Sequence, residues 1–206
     1  MDARPDTRTR LLDAALRVLR ERGYSATRVD DICAAAGVTK GAFFHHFDSK
    51  EALAVAAVGH FGDGAEALFA SASYRHEATA ARRILAYLAL RKALLEGELP
   101  DITCLAGTMV QEAYGTHPAI RIACEAMIAA HAETLVPDIV DALGLSGEAG
   151  EARARRLALY TQAVIQGAFI LAKAQGDTAI AGACIDELAA HVASLFETTK
   201  RKETKR

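Results

Sequence analysis

A chain of 206 residues is long enough for one sizeable core, or for a small domain joined to a larger one. With 51% hydrophobic and 24% charged residues its composition is that of a soluble globular protein, and abundant alanine with few aromatics places it in the all-α class. A formal net charge of −2 excludes DNA binding through bulk charge: the first 50 residues hold nine Lys/Arg against seven Asp/Glu, so affinity for a polyanion has to come from charge placed on one face.

In chain order, residues 2–9 are polar, and Arg4, Arg8 and Arg10 beside the first helix serve either as phosphate contacts or as a solvated tail. Leu11, Leu12, Ala15, Val18 and Leu19 recur at helical spacing over residues 10–22, and Gly23 stops that helix. Tyr24 belongs to the core. The run TRVDDICAAAGVTKGAFFHHF over residues 27–47 then reads as two short helices joined by a tight turn. Thr27 is placed to cap the first, with Asp30 three residues on in the order of a capping box. Gly37 ends that helix at a position that wants a left-handed backbone, and Thr39 caps the second. Phe43, Phe44 and Phe47 form the core face of the second helix. Thr39, Lys40, Gly41 and Ala42 stand exposed at its start, with His45 and His46 further along. A hydroxyl, an ammonium and a residue without a side chain at a helix N-terminus suit a phosphate, or a base edge in the major groove. Residues 1–50 therefore form a helix-turn-helix head.

A fourth helix opens at Ser49 and forms a connector over residues 51–64, with a bend expected around 59–64 from Gly59, Gly62 and Gly64. The body, residues 65–198, holds a helix over 78–96, a short one over 103–114, and a long one over 118–143 kinked at Pro137. A turn at 144–150 leads to two long helices over 151–175 and 178–197. Residues 199–206 read as a disordered basic tail. About nine helices are expected in all.

The last two helices are apolar on two faces and need two partners. One stripe holds Leu157, Tyr160, Val164, Ala168 and Leu171; the other helix offers Cys184, Leu188, Val192 and Leu195. Either the body covers both faces, or one pairs with a second copy in an isologous four-helix bundle.

Cys33, Cys104, Cys124 and Cys184 lack CxxC spacing, so neither a metal site nor a disulfide framework is expected. No nucleophile–base–orienter set or phosphate-cradling glycine loop is seen, and neither catalytic residues nor cofactors are assigned. The remote enzyme reading rests on Cys104 or a Glu112/His131 pair. No apolar run reads as long enough to cross a bilayer, and the N-terminal MDARPDTRTR lacks a signal-peptide core. A cytoplasmic, nucleoid-associated protein without a membrane partner is expected.

Ala34, Ala36, Gly37, Val38, Thr39, Lys40, Gly41, Phe43, Phe44, His46, Phe47, Ser49, Lys50 and Glu51 stand in the order of a known signature. It is an alanine-rich helix, then A-G-V-[ST]-K-G, an aromatic pair, and H-F before an S-K-E helix start. In this the first quarter of the chain resembles the TetR family of bacterial transcriptional regulators. The resemblance implies a dimer, paired through its last two helices, whose heads read a palindromic double-stranded operator. It implies Lys40 and Gly41 at the bases or in close approach to the backbone, Thr39, Thr27 and Arg28 at phosphates, His45 and His46 flanking the backbone, and Lys50 as a phosphate lysine. Phe44 departs from the Tyr found in many members, which removes a hydroxyl from the DNA face.

In the body, D-I-T-C-L-A-G-T-M-V-Q-E over residues 101–112, then Pro118 to Arg121, and later Gln166, Gly167, Ala168, Ala172, Lys173 and Ala174 resemble a sub-branch that includes electrophile-responsive repressors. That implies a small organic or electrophilic inducer and a sensor role for Cys104, near a helix N-terminus, with Lys173 as its cationic neighbour. The alternative is a structural Cys104. Leu88, Met109, Glu112, Tyr114, Met127, His131 and Phe169 complete the expected cavity. Repression relieved by inducer is the leading reading; activation or corepressor dependence is the alternative.

Overall fold

The structure, a computed structural model, describes residues 5–203, with side chains to Thr198. Arg4 and residues 204–206, which figured in the sequence reading, lie outside them. Every regular element among the described residues is helical, eleven α-helices and one 3-10 turn. Two compact units divide the chain: Met1–Ala67 with Thr103–Met127, and Leu68–Ile102 with Ile128–Arg206.

In the first unit, α1 (Thr7–Ala26) begins at Asp6, whose carboxylate accepts the Thr9 N–H at 2.7 Å. Gly23 (φ 79°, ψ 172°) kinks α1, and one further turn follows it. α2 (Val29–Ala36) ends at Gly37 with φ 63°, the left-handed conformation its position called for. α3 (Lys40–His46) starts at Thr39, which accepts the Ala42 N–H at 3.2 Å. Leu11, Leu19, Ile32, Phe43 and Leu53 are fully buried and bind these helices together. α7 (Leu105–Ala113), far along the chain, packs on α1 in the same unit.

α4 (Lys50–Ser71) begins in the first unit and ends in the second without interruption. α4 runs through residues 59–64 without the break that three glycines suggested, and none of them has a positive φ. Gly62 has a packing reason to lack a side chain, since a Cβ there would meet the Met127 side chain at 3.3 Å.

The second unit holds a 3-10 turn at Ser73–His76, α5 (Ala80–Ala93), α6 (Leu99–Ile102), α9 (Val136–Ala142), α10 (Gly147–Gln175) and α11 (Ala179–Glu203). α8 (Pro118–Glu133) contributes to both units. The single kinked helix expected over 118–143 is two helices, because Pro137 sits in the first turn of α9, where its missing N–H costs nothing. α11 continues to Glu203, which corrects the disordered tail for residues 199–203.

α10 packs on α11 and α9, and α5 packs on α11 and α9. Both Gly147–Gln175 and Ala179–Thr198 are long and apolar enough, by length and composition, to cross a membrane, which the sequence reading had not recognised. Each also carries a charged face, with Arg155 paired to Glu133 at 3.3 Å and Asp186 paired to Lys92 at 2.7 Å.

Candidate functional site

The mouth of α3 is the exposed end of a rigid two-helix corner. Arg10 extends from α1 and donates to the carbonyls of Ala36 (2.6 Å) and Gly37 (2.9 Å), so it holds the turn rather than facing solvent. Arg8 lies over the Phe47 ring at 5.5 Å, which packs its stem while leaving the side chain exposed.

Thr39, Lys40, Gly41, His45 and Arg28 are all exposed. Lys40 meets Asp30 at 3.0 Å, with both side chains more than half exposed. An exposed pair of this kind is weak and exchangeable, so the ammonium is available to a competing phosphate. Gly41 has no internal reason to be glycine. A Cβ there would meet nothing closer than the Thr39 hydroxyl at 3.8 Å, and glycine inside a helix costs about 1 kcal/mol relative to alanine. An outside surface approaching the backbone would supply the missing reason. His46 is half-buried, its ring edge-on to His45 at 5.0 Å. Phe44 stands 50% exposed beside them, edge-to-face with Phe43.

Two expected contacts are corrected. Thr27 is buried, and its hydroxyl donates to the Gly23 carbonyl at 2.6 Å. The cap of α2 is Arg28 instead, whose N–H donates to Asp31 at 2.8 Å. Lys50 turns inward: its ammonium donates to the carbonyls of Tyr24 and Thr27, both at 2.9 Å, and lies 4.1 Å over the Tyr24 ring. Burial holds its pKa below the ordinary lysine value, with the Glu112 charge acting the other way. Both residues join the end of α1 to the start of α2.

The expected sensor set divides between the units. Cys104, Met109, Glu112, Tyr114 and Met127 belong to the first, and Leu88, His131, Phe169 and Lys173 to the second. Cys104 is itself the N-cap of α7, buried, its sulfur accepting the Gly107 N–H at 3.4 Å. Glu112 and Tyr114 are exposed, and Glu112 accepts the Ser25 N–H at 2.9 Å. Met109 and Leu88 are fully buried core residues, and Lys173 is exposed on the last turn of α10. Cys124 is buried, which pushes its thiol up to about 11, with Cys104 adding to the shift.

His131 and Phe169 do come together, around residues that sequence reasoning missed. The Tyr87 hydroxyl meets His131 Nε2 at 2.9 Å and accepts from Gln162 at 3.3 Å. Phe69 packs on the His131 ring at 4.7 Å, and the Arg91 guanidinium lies over Phe69 (5.5 Å) and Phe169 (5.8 Å). Burial, reinforced by Arg91 and Arg75, pushes the His131 pKa down to about 4, so the imidazole is neutral. Tyr87 and Arg91 stand four apart on α5, a spacing that brings them to one face and was visible in the sequence. No group of three or more metal-ligating side chains occurs among the described residues.

Residues 11–57 match the family model described as bacterial regulatory proteins, tetR family, and residues 80–197 match the C-terminal domain of LmrA/YxaF-like transcriptional regulators. The chain is 34% identical over 110 residues to the HTH-type transcriptional repressor DhaR of Mycobacterium sp. (strain GP1), covering 53% of this chain and 54% of that protein. To the HTH-type transcriptional repressor KstR2 of Rhodococcus jostii (strain RHA1) it is 54% identical over 46 residues, 22% of each chain. The matches thus span about half the length of the first relative and about a fifth of the second. A TetR transcriptional regulator from Chloroflexus aurantiacus superposes with a TM-score of 0.73 at 27% identity, over 90% of this chain and 93% of that one. With the second family model alone covering more than half its length, the chain belongs to the TetR family of bacterial transcriptional regulators, not to an enzyme family.

Proposed function

We propose that this protein is a cytoplasmic, dimeric repressor that reads a palindromic operator with α3 and leaves it when a small organic inducer binds the body. The observation that carries the reading is the exposed Thr39-Lys40-Gly41 mouth, where a capped N-terminus, an exchangeable ammonium and a glycine without internal cause share one surface. Thr39, Lys40, Gly41, Arg28, His45 and His46 carry the DNA contacts in this account. Lys40 and Arg28 set register on phosphates, and Gly41 lets the backbone approach.

The dimer reading is supported by apolar side chains left uncovered on α10. Tyr160, Ile170 and Leu171 are 46%, 48% and 44% exposed, and Leu157 and Val164 are partly so. Cys184 and Leu195 of α11 are partly exposed, and the Tyr160 ring meets His191 of α11 at 5.8 Å. Ala168, Leu188 and Val192, which the sequence reading assigned to the interface, are buried in the protomer and belong to its own core.

The test is fluorescence anisotropy on duplexes from the DNA flanking the protein's own coding sequence, titrated against salt. Tight binding that weakens steeply with salt supports the reading. Binding that is weak and equal for all duplexes opposes it.

A second inducer reading has the signal arrive as covalent modification of Cys104. It is favoured by the position of the sulfur at the α7 N-cap, where alkylation removes the Gly107 hydrogen bond. Cys104→Ser separates the two: loss of response to an electrophile in the variant supports the thiol, and an unchanged response opposes it.

A further inference from the structure

We propose that the second unit binds an organic anion, a carboxylate on an apolar or aryl body, with the carboxylate on Arg91 and the body against Phe69 and Phe169. This deepens the inducer reading and rests on it.

Arg91 is a cation without an anion. It lies against two aromatic rings, is only partly exposed, and has no carboxylate partner among the described residues. Carboxylates of the same unit are engaged elsewhere: Asp138 with Arg83 at 2.8 Å, Glu133 with Arg155 at 3.3 Å, and Asp186 with Lys92 at 2.7 Å. A guanidinium drawn out of water without a counter-charge is costly, and a bound carboxylate repays that cost through charge-assisted hydrogen bonds.

The hydrogen-bond chain beside Arg91 has a direction. Gln162 donates to the Tyr87 hydroxyl, so the single Tyr87 proton goes to His131 Nε2. Arg91 Nη1 reaches the same nitrogen at 3.5 Å, and it too can only donate. Nε2 is therefore an acceptor and the imidazole proton sits on Nδ1. His131 stays neutral at ordinary pH, so it supplies a donor but no charge, and the cluster remains net cationic through Arg91 and Arg75. The Tyr74 ring stands edge-on to Tyr87 at 5.7 Å, with the Arg75 guanidinium 5.1 Å over it, which places a second cation beside the cluster. A guanidinium without a counter-charge against an aromatic wall selects an acceptor-bearing anion over an amine or a neutral hydrocarbon.

The test is calorimetric titration of the full chain with 4-phenylbutyrate and with its neutral amide. The acid is expected to bind at least about tenfold more tightly than the amide. Arg91→Gln removes that preference, and Arg91→Lys, which keeps the charge, retains part of it. Equal affinities for acid and amide overturn the proposal. So does an unchanged preference in a folded Arg91→Gln chain, or no binding of either compound at millimolar concentration.

A duplex-release assay on the same samples separates this proposal from the reading beneath it. Arg91-dependent binding that leaves the duplex bound sinks the inducer reading and keeps the site. Release by uncharged compounds, with no binding of the acid, sinks the site and keeps the inducer reading.

Discussion

The Glu112 carboxylate of α7 fills the space that a side chain on Gly23 of α1 would occupy, and its other oxygen side accepts the Ser25 N–H at 2.9 Å. One residue thereby ties α7 to the end of α1, whose following turn carries Thr27 and the start of α2. Gly23 combines φ 79° with ψ 172°, a region of backbone space that only glycine visits freely. Gly23→Ala has both the strain and the collision against it. It is expected to lower stability by about 1–3 kcal/mol, read as a lower urea midpoint at unchanged m-value. An unchanged midpoint contradicts this account of the kink.

Lys40 and Lys50 should fail differently. Lys40→Ala removes an exposed phosphate contact, so the slope of log affinity against log salt flattens by about one unit while the fold keeps its stability. Lys50→Ala leaves the Tyr24 and Thr27 carbonyls without their donor, and thermal stability falls along with DNA affinity. Anisotropy titrations at several salt concentrations, paired with melting curves, check both. A stable Lys50→Ala chain with a flattened salt slope would return that lysine to the phosphate role.

Gly41→Ala should separate folding from binding. A Cβ at this position has room inside the protein, and alanine favours the helix by about 1 kcal/mol. The variant is expected to melt at the same temperature or higher, and to bind operator DNA more weakly because the helix can no longer approach closely. Binding at wild-type strength would mean that no surface comes close to Gly41.

The exposed and buried members of the last two helices also make opposite predictions. Leu171→Glu places a charge on an exposed apolar face and should shift sedimentation toward the monomer with little change in protomer helicity. Leu188→Ala opens a hole in the protomer core and should cost about 2–5 kcal/mol. If Leu171→Glu sediments like the wild type, the α10 face is not the dimer surface.

Acid should weaken the second unit through His131. Its pKa is about 4 in the folded chain against 6.5 for the free side chain. Between those values the unfolded chain takes up a proton that the folded one does not. The stability held by neutral His131 is therefore complete above about pH 6.5 and is lost as pH falls toward about 4. Melting temperature against pH should show this slope in the wild type and a flatter one in His131→Phe. Parallel curves would remove His131 from the account.

Features set by residues close in sequence were the legible ones. Gly37 and Thr39 announce the end of α2 and the start of α3 through local backbone needs, and the structure uses both as expected. Thr27 and Lys50 misled for different reasons, the first because its hydroxyl turns back to a carbonyl four residues earlier, the second because its partners are tertiary. A threonine beside a helix start reads as a cap until Gly23 claims its hydroxyl, and Lys50 reads as a surface charge until carbonyls 26 and 23 residues away draw it in. Gly59, Gly62 and Gly64 suggested a bend, yet glycine only permits one, and helix hydrogen bonding runs through all three. The cluster around Arg91 stayed hidden because Phe69, Tyr87, His131 and Gln162 come from four separate helices.

Selection of duplexes from a randomised pool by the wild-type protein tests the central claim most directly. Enrichment of an inverted repeat with half-sites about one or two helical turns apart is expected, bound by one dimer and bound more weakly by Gly41→Ala. A pool that stays random through successive rounds, with retention set by salt alone, would show that α3 does not read sequence and would contradict the repressor account.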